Sequence, residues 1–128
     1  MSFGSGPVPS HMPVNLPPPV ETSPGRKRVY VNPPVIHVGT GSSELKRLRW
    51  TNNTGKKARF WFPNASWLFV GPPAGYKDFD NPFVVEDGER LELDLKNNLG
   101  FYDYPYHVYC DASESEAEGN SPPVISCP

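Results

Sequence analysis

Leu91-Glu92-Leu93-Asp94-Leu95 is the segment of the chain with the clearest alternation of apolar and charged side chains. Successive side chains of a β-strand point to opposite faces of the sheet, so this spacing places three leucines in a core and two carboxylates in water. The segment therefore predicts a half-buried strand, in a sheet whose other elements cover the leucine face.

Other short β-like runs lie on both sides of this strand and are divided by turn residues. They span residues 29–31, 35–38, 45–51, 58–62, 66–70, 83–85, 104–110 and 124–127. Asn52-Asn53-Thr54-Gly55 is a turn signal, which predicts that residues 45–51 and 58–62 form a hairpin. About seven or eight short strands with no helical period predict an all-β fold, an antiparallel Greek-key β-sandwich.

The composition agrees with one small domain of this class. The 128 residues include 17 Pro and 11 Gly beside 7 Phe, 6 Tyr and 3 Trp, a mixture that favours short strands and turns over long helices. No apolar run approaches the roughly 20 residues that cross a bilayer, and the N-terminus lacks the charged start and apolar stretch of a signal peptide. We therefore expect a soluble chain with no membrane partner.

A flexible arm is predicted to precede the sandwich. Residues 1–27 are rich in Pro, Gly and Ser, and Pro17-Pro18-Pro19 favours an extended polyproline conformation. Ser10-His11-Met12 resembles the junction that expression cloning leaves. We expect residues 1–27 to be a disordered spacer with no part in the core, and residues 28–128 to form the β-sandwich domain.

Charge is distributed unevenly along the chain. Residues 1–77 contain ten Lys and Arg against two acids, whereas residues 78–128 contain two bases against twelve acids. We expect the two parts to interleave as neighbouring strands with cross-strand charge pairs. The alternative is a two-faced surface that attracts a charged partner or a second copy of the chain. Arg26-Lys27-Arg28 is short and predicts a solvated charge run, so no nucleic acid partner is expected.

The C-terminal half resembles a known family. Residues 84–89, the strand Tyr106-His107-Val108-Tyr109-Cys110 and the final run at Val124-Ile125 resemble the end of a cupredoxin, the plastocyanin-type fold. In that family an aromatic-x-aromatic-or-aliphatic-x-Cys strand precedes the copper-binding loop, and Tyr106, Val108 and Cys110 match this pattern. Residues 48–53 are similar to the strand and turn before the family's first histidine ligand. The resemblance implies a cupredoxin-like sandwich.

The copper ligands of that family are not matched. A blue-copper site needs two imidazoles and a thiolate, usually with an axial Met, and in the family one His and the Met closely follow the Cys. Cys110 is followed by no His and no Met, and Lys57 and Arg59 lie where the first His is expected. His107 is three residues from Cys110 on a strand and so points to the opposite face. We therefore expect a cupredoxin-like domain without copper or any other cofactor.

Aromatic side chains are more numerous than one small core needs. Phe60 and Phe62 can both enter the core only if Trp61 faces outward. An outward aromatic cluster is a platform for a protein partner or, as a second choice, for a sugar ring. The candidate binding residues are Trp61, Trp67, Tyr102, Tyr104 and Tyr106.

Cys110 and Cys127 are the two cysteines of the chain. A disulfide between them would contribute about 3 kcal/mol through loop entropy and would suit a periplasmic or secreted domain. Two free buried thiols, in a cytoplasmic domain, are the alternative.

No nucleophile, acid–base pair or phosphate-binding loop forms a recognisable catalytic motif. The sequence therefore predicts a non-enzymatic binding or assembly module, whose partner is a protein or, weakly, a second copy of the chain. A copper electron-transfer protein and a carbohydrate-binding module are the alternatives.

Overall fold

A computed structural model describes residues 12–38, 47–73, 76, 78–79, 82–96, 102–118 and 123–126. These residues form twelve short strands and one helical turn, α1 (Ala65–Leu68). The strands are β1 (Met12–Leu16), β2 (Val20–Ser23), β3 (Arg26–Arg28), β4 (Val35–His37), β5 (Arg47–Asn52), β6 (Ala58–Trp61), β7 (Phe83–Val85), β8 (Arg90–Asp94), β9 (Asp103–Pro105), β10 (His107–Cys110), β11 (Ser115–Glu116) and β12 (Val124–Ser126). In this part of the chain no helix is long and apolar enough to span a membrane.

The strands form the two layers of a sandwich. One layer is the sheet β1-β5-β8, and the other contains the sheet β11-β10-β6-β7. The sheet β4-β12-β9 adjoins this second layer where β9 leads into β10, and β2 and β3 pair with each other. The pairs are antiparallel except for β1 with β5 and β4 with β12, which are parallel. The predicted all-β sandwich is confirmed, with mixed instead of purely antiparallel pairing.

An aromatic cluster joins the layers. The ring centroid of Trp50 on β5 lies 5.9 Å from that of Phe60 on β6, 5.2 Å from Phe62 and 5.5 Å from Tyr106. Trp50 Nε1 donates a 3.1 Å hydrogen bond to Tyr106 Oη, so two buried polar atoms satisfy each other. Each large ring buried here contributes about 1.5–3 kcal/mol or more through removal of apolar area from water.

β8 has the alternation predicted for residues 91–95. Its leucines are buried, whereas Glu92 and Asp94 lie on the other face. There the two carboxylates meet the arginines of the antiparallel neighbour β5, at 2.5 Å for Arg49 with Glu92 and 2.7 Å for Arg47 with Asp94. The carboxylates are therefore paired across the strands and only partly exposed to water.

The unevenly charged parts of the sequence interleave, as expected. Five ion pairs between described residues each join a base of residues 1–77 to an acid of residues 78–128. The pairs are Arg28–Glu118, Arg47–Asp94, Arg49–Glu92, Lys57–Glu86 and Arg59–Asp111. The side chains are partly exposed to water, which screens their charges, so each pair adds little to stability. Their consequence is a mixed surface in place of two oppositely charged ones.

The predicted hairpin of residues 45–51 with 58–62 is wrong. β5 pairs with β1 and β8, whereas β6 pairs with β10 and β7 in the other layer. The connection passes from one layer to the other. The buried Asn52 side chain holds it in this course by donating hydrogen bonds to the carbonyls of Lys56 and Val85 at 2.8 and 2.9 Å. A two-residue Asn-Gly turn would have kept the strands adjacent, but this loop is longer.

Two further predicted strands differ in the structure. Residues 66–70 contain most of the turn α1, which follows Pro63 and Asn64, and Phe69 makes only an isolated bridge to Leu95. The predicted strand 104–110 is divided between β9 and β10, which pair in different sheets. Pro105 explains the division, because proline lacks the amide hydrogen that a continuous ladder requires.

The predicted boundary between arm and domain is wrong for residues 12–16. β1 pairs in parallel with β5 over five residues, from Met12 opposite Leu48 to Leu16 opposite Asn52. Val14 and Leu16 are 1% and 0% exposed. Two inward side chains are enough to add a strand to an existing sheet edge, even where the segment is too polar to fold alone. Residues 1–11 of the predicted arm lie outside the described residues.

Candidate functional site

The outer face of the sheet β11-β10-β6-β7 presents aromatic and charged side chains together. Phe60 on β6 and Val108 on β10 are buried, so the alternate residues of both strands point outward. We call this surface the Trp61 face, and it consists of Arg59, Trp61, Val84, His107, Tyr109 and Glu116.

The strand register makes the Trp61 face contiguous. Trp61 lies opposite His107 and Arg59 lies opposite Tyr109, while Tyr109 has Glu116 on its other side. Directly opposite residues have Cβ atoms about 4.5–5.5 Å apart, which puts these side chains in contact range. All five also line one shallow cavity of about 350 Å³.

His107 links the aromatic and acidic parts of the face. The imidazole stacks on the Trp61 ring, with centroids 5.3 Å apart and planes inclined by 25°. Its Nδ1 atom lies 2.9 Å from Glu116 Oε1, which orients the ring and favours a proton on Nδ1. Trp61 nevertheless remains 48% exposed. A large aromatic surface is therefore held in a defined orientation while still open to a ligand.

The five predicted binding residues do not form one site. Trp61 lies on the Trp61 face, whereas Trp67 is 73% exposed on α1, outside that sheet. The ring centroids of Tyr102 and Tyr104 lie 6.2 Å apart, and Tyr104 belongs to β9, which pairs with β12. Tyr106 is completely buried, so its predicted contact with a partner is wrong. The neighbours of Trp61 in the structure are therefore residues of β10, and not the other predicted aromatic residues.

Sequence reasoning missed Arg59, His107 and Tyr109. For the two residues on β10 the signal was present, because the family pattern places alternate residues of this strand in the core and the residues between them outside. The proximity of Glu116 and Val84 could not be found in this way. It depends on pairings with β11 and β7, which local spacing does not determine.

Cys110 has the position of the family's thiolate ligand, but its surroundings do not fit a blue-copper centre. Burial, with a smaller contribution from Asp111, raises the pKa of the Cys110 thiol to about 12. Its sheet neighbours Ala58 and Ser115 carry no imidazole, and His107 points to the opposite face. Within the described ranges, no three His, Cys, Asp or Glu side chains are grouped so as to hold a metal ion.

The predicted disulfide has no support in the described residues. Cys110 is a free thiol, and its candidate partner Cys127 lies outside the described residues. Ser126, which precedes Cys127, pairs with Asp103 on β9, across the change of sheet from Cys110. The bridge and the compartment inferred from it stay predictions.

No protein-family profile and no curated protein matches this sequence. Solved structures do resemble the fold. One is the multicopper oxidase mgLAC, 16% identical with a TM-score of 0.52, where 91% of this chain covers 38% of that chain. Another is a multicopper oxidase from Campylobacter jejuni, 12% identical with a TM-score of 0.52, where 92% of this chain covers 25% of that chain. A purple cupredoxin from Nitrosopumilus maritimus is 12% identical with a TM-score of 0.49, covering 91% and 98%.

The structural likeness establishes the fold class. The described residues form a cupredoxin-like β-sandwich. The chain spans 38% and 25% of the lengths of the two oxidases that it resembles.

Proposed function

We propose that this domain is a non-enzymatic binding module that contacts a protein partner through the Trp61 face. The proposal rests on one observation, a half-exposed Trp61 ring in a contiguous sheet face with Arg59 and Tyr109 beside it. Trp, Tyr and Arg are the residue types that most often dominate the binding energy of protein interfaces.

The charges on the Trp61 face favour a protein over a highly charged ligand. Arg59 is paired with Asp111, and Glu116 lies beside His107. A partner can cover the face while these side chains keep their present polar contacts, and burying a polar group that has lost its contact would be costly. Trp61 then supplies a central apolar contact, and the ion pairs supply a polar rim.

The comparisons and the chemistry of the site support the same proposal. In the two multicopper oxidases, the matched region is part of a much longer chain, so this fold occurs there beside further protein. The copper electron-transfer alternative would need an imidazole at Cys110, and its described sheet neighbours supply none. Cys110 and His107 also face opposite sides of β10, so they do not form a nucleophile–base pair.

Matched tryptophan substitutions test the proposal. Trp61→Ala and Trp67→Ala remove the same exposed side chain from the Trp61 face and from α1. A protein captured by the wild-type domain is identified and purified, and its affinity is measured for all three forms. We expect Trp61→Ala to weaken binding by at least about tenfold, and Trp67→Ala to change it by less than about twofold.

Equal affinity of the Trp61→Ala and wild-type domains would exclude this face as the contact. Two titrations on the same variants separate the other ligand classes. Saturable glycan binding that quenches tryptophan fluorescence and is lost in Trp61→Ala would replace the protein partner with a carbohydrate. A dimer seen by sedimentation, and lost in Trp61→Ala, would identify the partner as a second copy of the chain.

A further inference from the structure

A basic cleft lies beside the loop that follows Cys110 and adjoins the Trp61 face, since Ser115 of the cleft directly precedes Glu116 of that face. It is formed between the end of the β2-β3 hairpin and residues 112–115, and its volume is about 480 Å³. Small-molecule sites have volumes of about 300–1,000 Å³. The charged residues that line this cleft are Arg26, Lys27, Arg28, Lys56 and Glu114.

Three of the four cations have no acidic partner among the described residues. Arg28 pairs with Glu118 at 3.1 Å, but no described carboxylate lies within 4.0 Å of the nitrogen atoms of Arg26, Lys27 or Lys56. In contrast, the neighbouring basic residues of β5, β6 and the loop between them have acidic partners. They are Arg47, Arg49, Lys57 and Arg59. Like charges in one cleft repel one another, and a bound anion would remove this repulsion.

Backbone hydrogen bonds hold both sides of the cleft in place. Beyond β3, Glu118 N donates to Val29 O at 2.7 Å, and Val31 N donates to Glu118 O at 2.9 Å. On the other side, the Lys56 carbonyl accepts a 2.8 Å hydrogen bond from the buried Asn52 side chain. Arg26, Lys27 and Arg28 themselves lie on β3, which pairs with β2. The backbone on each side of the cleft is thus partly ordered before a ligand binds, which lowers the entropic cost of binding.

We propose that this cleft binds a small anion with several phosphoryl groups. Guanidinium groups donate charge-assisted, bidentate hydrogen bonds to phosphoryl oxygens, and ammonium groups bind them as point charges. The three unpaired cations lie on both sides of a cleft of about 480 Å³ with one carboxylate, Glu114, and a chain of phosphoryl groups can reach both sides where a single phosphate fills only part of the space. The cleft and the Trp61 face share no lining residue, so different variants test the two proposals.

Calorimetric titration of the full chain with sodium tripolyphosphate at low ionic strength tests the proposal. We expect saturable binding that Arg26→Ser/Lys56→Ser weakens by at least about tenfold, because it removes one cation from each side of the cleft. The control Arg90→Ser/Lys96→Ser removes the same net charge from exposed positions at β8. We expect the control to change affinity by less than about twofold, since neither Arg90 nor Lys96 lines the cleft and exposed charges outside it are screened.

Equal weakening by the two double variants would show attraction by net charge alone and would overturn the proposal. Lack of saturable binding would overturn it also. Orthophosphate that binds as tightly as tripolyphosphate would refute the requirement for several phosphoryl groups. The Trp61→Ala variant should bind tripolyphosphate as tightly as the wild type does. The proposal for the cleft and the proposal for the Trp61 face can therefore be refuted independently. Circular dichroism melting verifies that each variant is folded.

Discussion

Truncation of buried side chains in β1 is the sharpest test of the fold, because the sequence predicts that this segment lies outside it. Leu16 is 0% exposed on a strand paired with β5. Replacement of a buried leucine by alanine costs about 2–5 kcal/mol, from lost transfer energy and the cavity left behind. We therefore expect Leu16→Ala to lower the free energy of unfolding by about 2–5 kcal/mol, a large share of the stability of a small domain.

Val14 and Val20 provide a matched pair within the predicted arm. Val14 is 1% exposed and Val20 is 49% exposed, so the same substitution removes the same atoms from a buried and from an exposed position. We expect Val14→Ala to cost about 1.5–3 kcal/mol. Val20→Ala should change stability by less than about 0.5 kcal/mol.

Urea unfolding followed by tryptophan fluorescence measures these differences, because Trp50 is buried in the core. The slope of free energy against urea concentration should be similar in all variants, so that shifts in midpoint report stability. If Val14→Ala and Val20→Ala proved equally mild and Leu16→Ala cost under about 0.5 kcal/mol, β1 would not belong to the core. Residues 12–16 would then be part of the flexible arm, and β1 would not be a strand of the β1-β5-β8 layer.

Three further predictions concern Tyr106 and Cys110, two buried polar groups of the second layer. Tyr106→Phe should lower the free energy of unfolding by about 1–3 kcal/mol, because Trp50 Nε1 loses its acceptor in a dry environment; equal unfolding midpoints in urea would contradict this. The pKa of Cys110 is raised from 9.0 to about 12, so the unfolded chain loses this proton first and stability should fall as pH rises through that interval. Cys110→Ala should show a shallower fall in unfolding experiments across the interval, and an unchanged slope would argue against a buried thiol. In a Cys127→Ser background, Cys110 should react with a thiol reagent only after denaturant is added, whereas rapid reaction of the native form would indicate exposure.

Local spacing was enough to predict several features of the fold. The alternation at residues 91–95 and the pattern ending at Cys110 each place one set of side chains inside and the other outside. The outward direction of Trp61 follows from its two phenylalanine neighbours by the same rule. These features depend only on which face of a strand a residue occupies, and the period of a strand determines that wherever one face is buried.

Long-range pairing decided the rest, and it decided the candidate site. Whether β5 continues into a hairpin or crosses the sandwich depends on the burial of Asn52 against Val85, 33 residues away in sequence. The addition of β1 to a sheet edge depends on a surface that exists only when β5 and β8 have formed. Trp61 has His107 for a neighbour, and not Tyr102, because β6 pairs with β10. Such pairings are selected by the free energy of the whole core, which no short window of sequence contains.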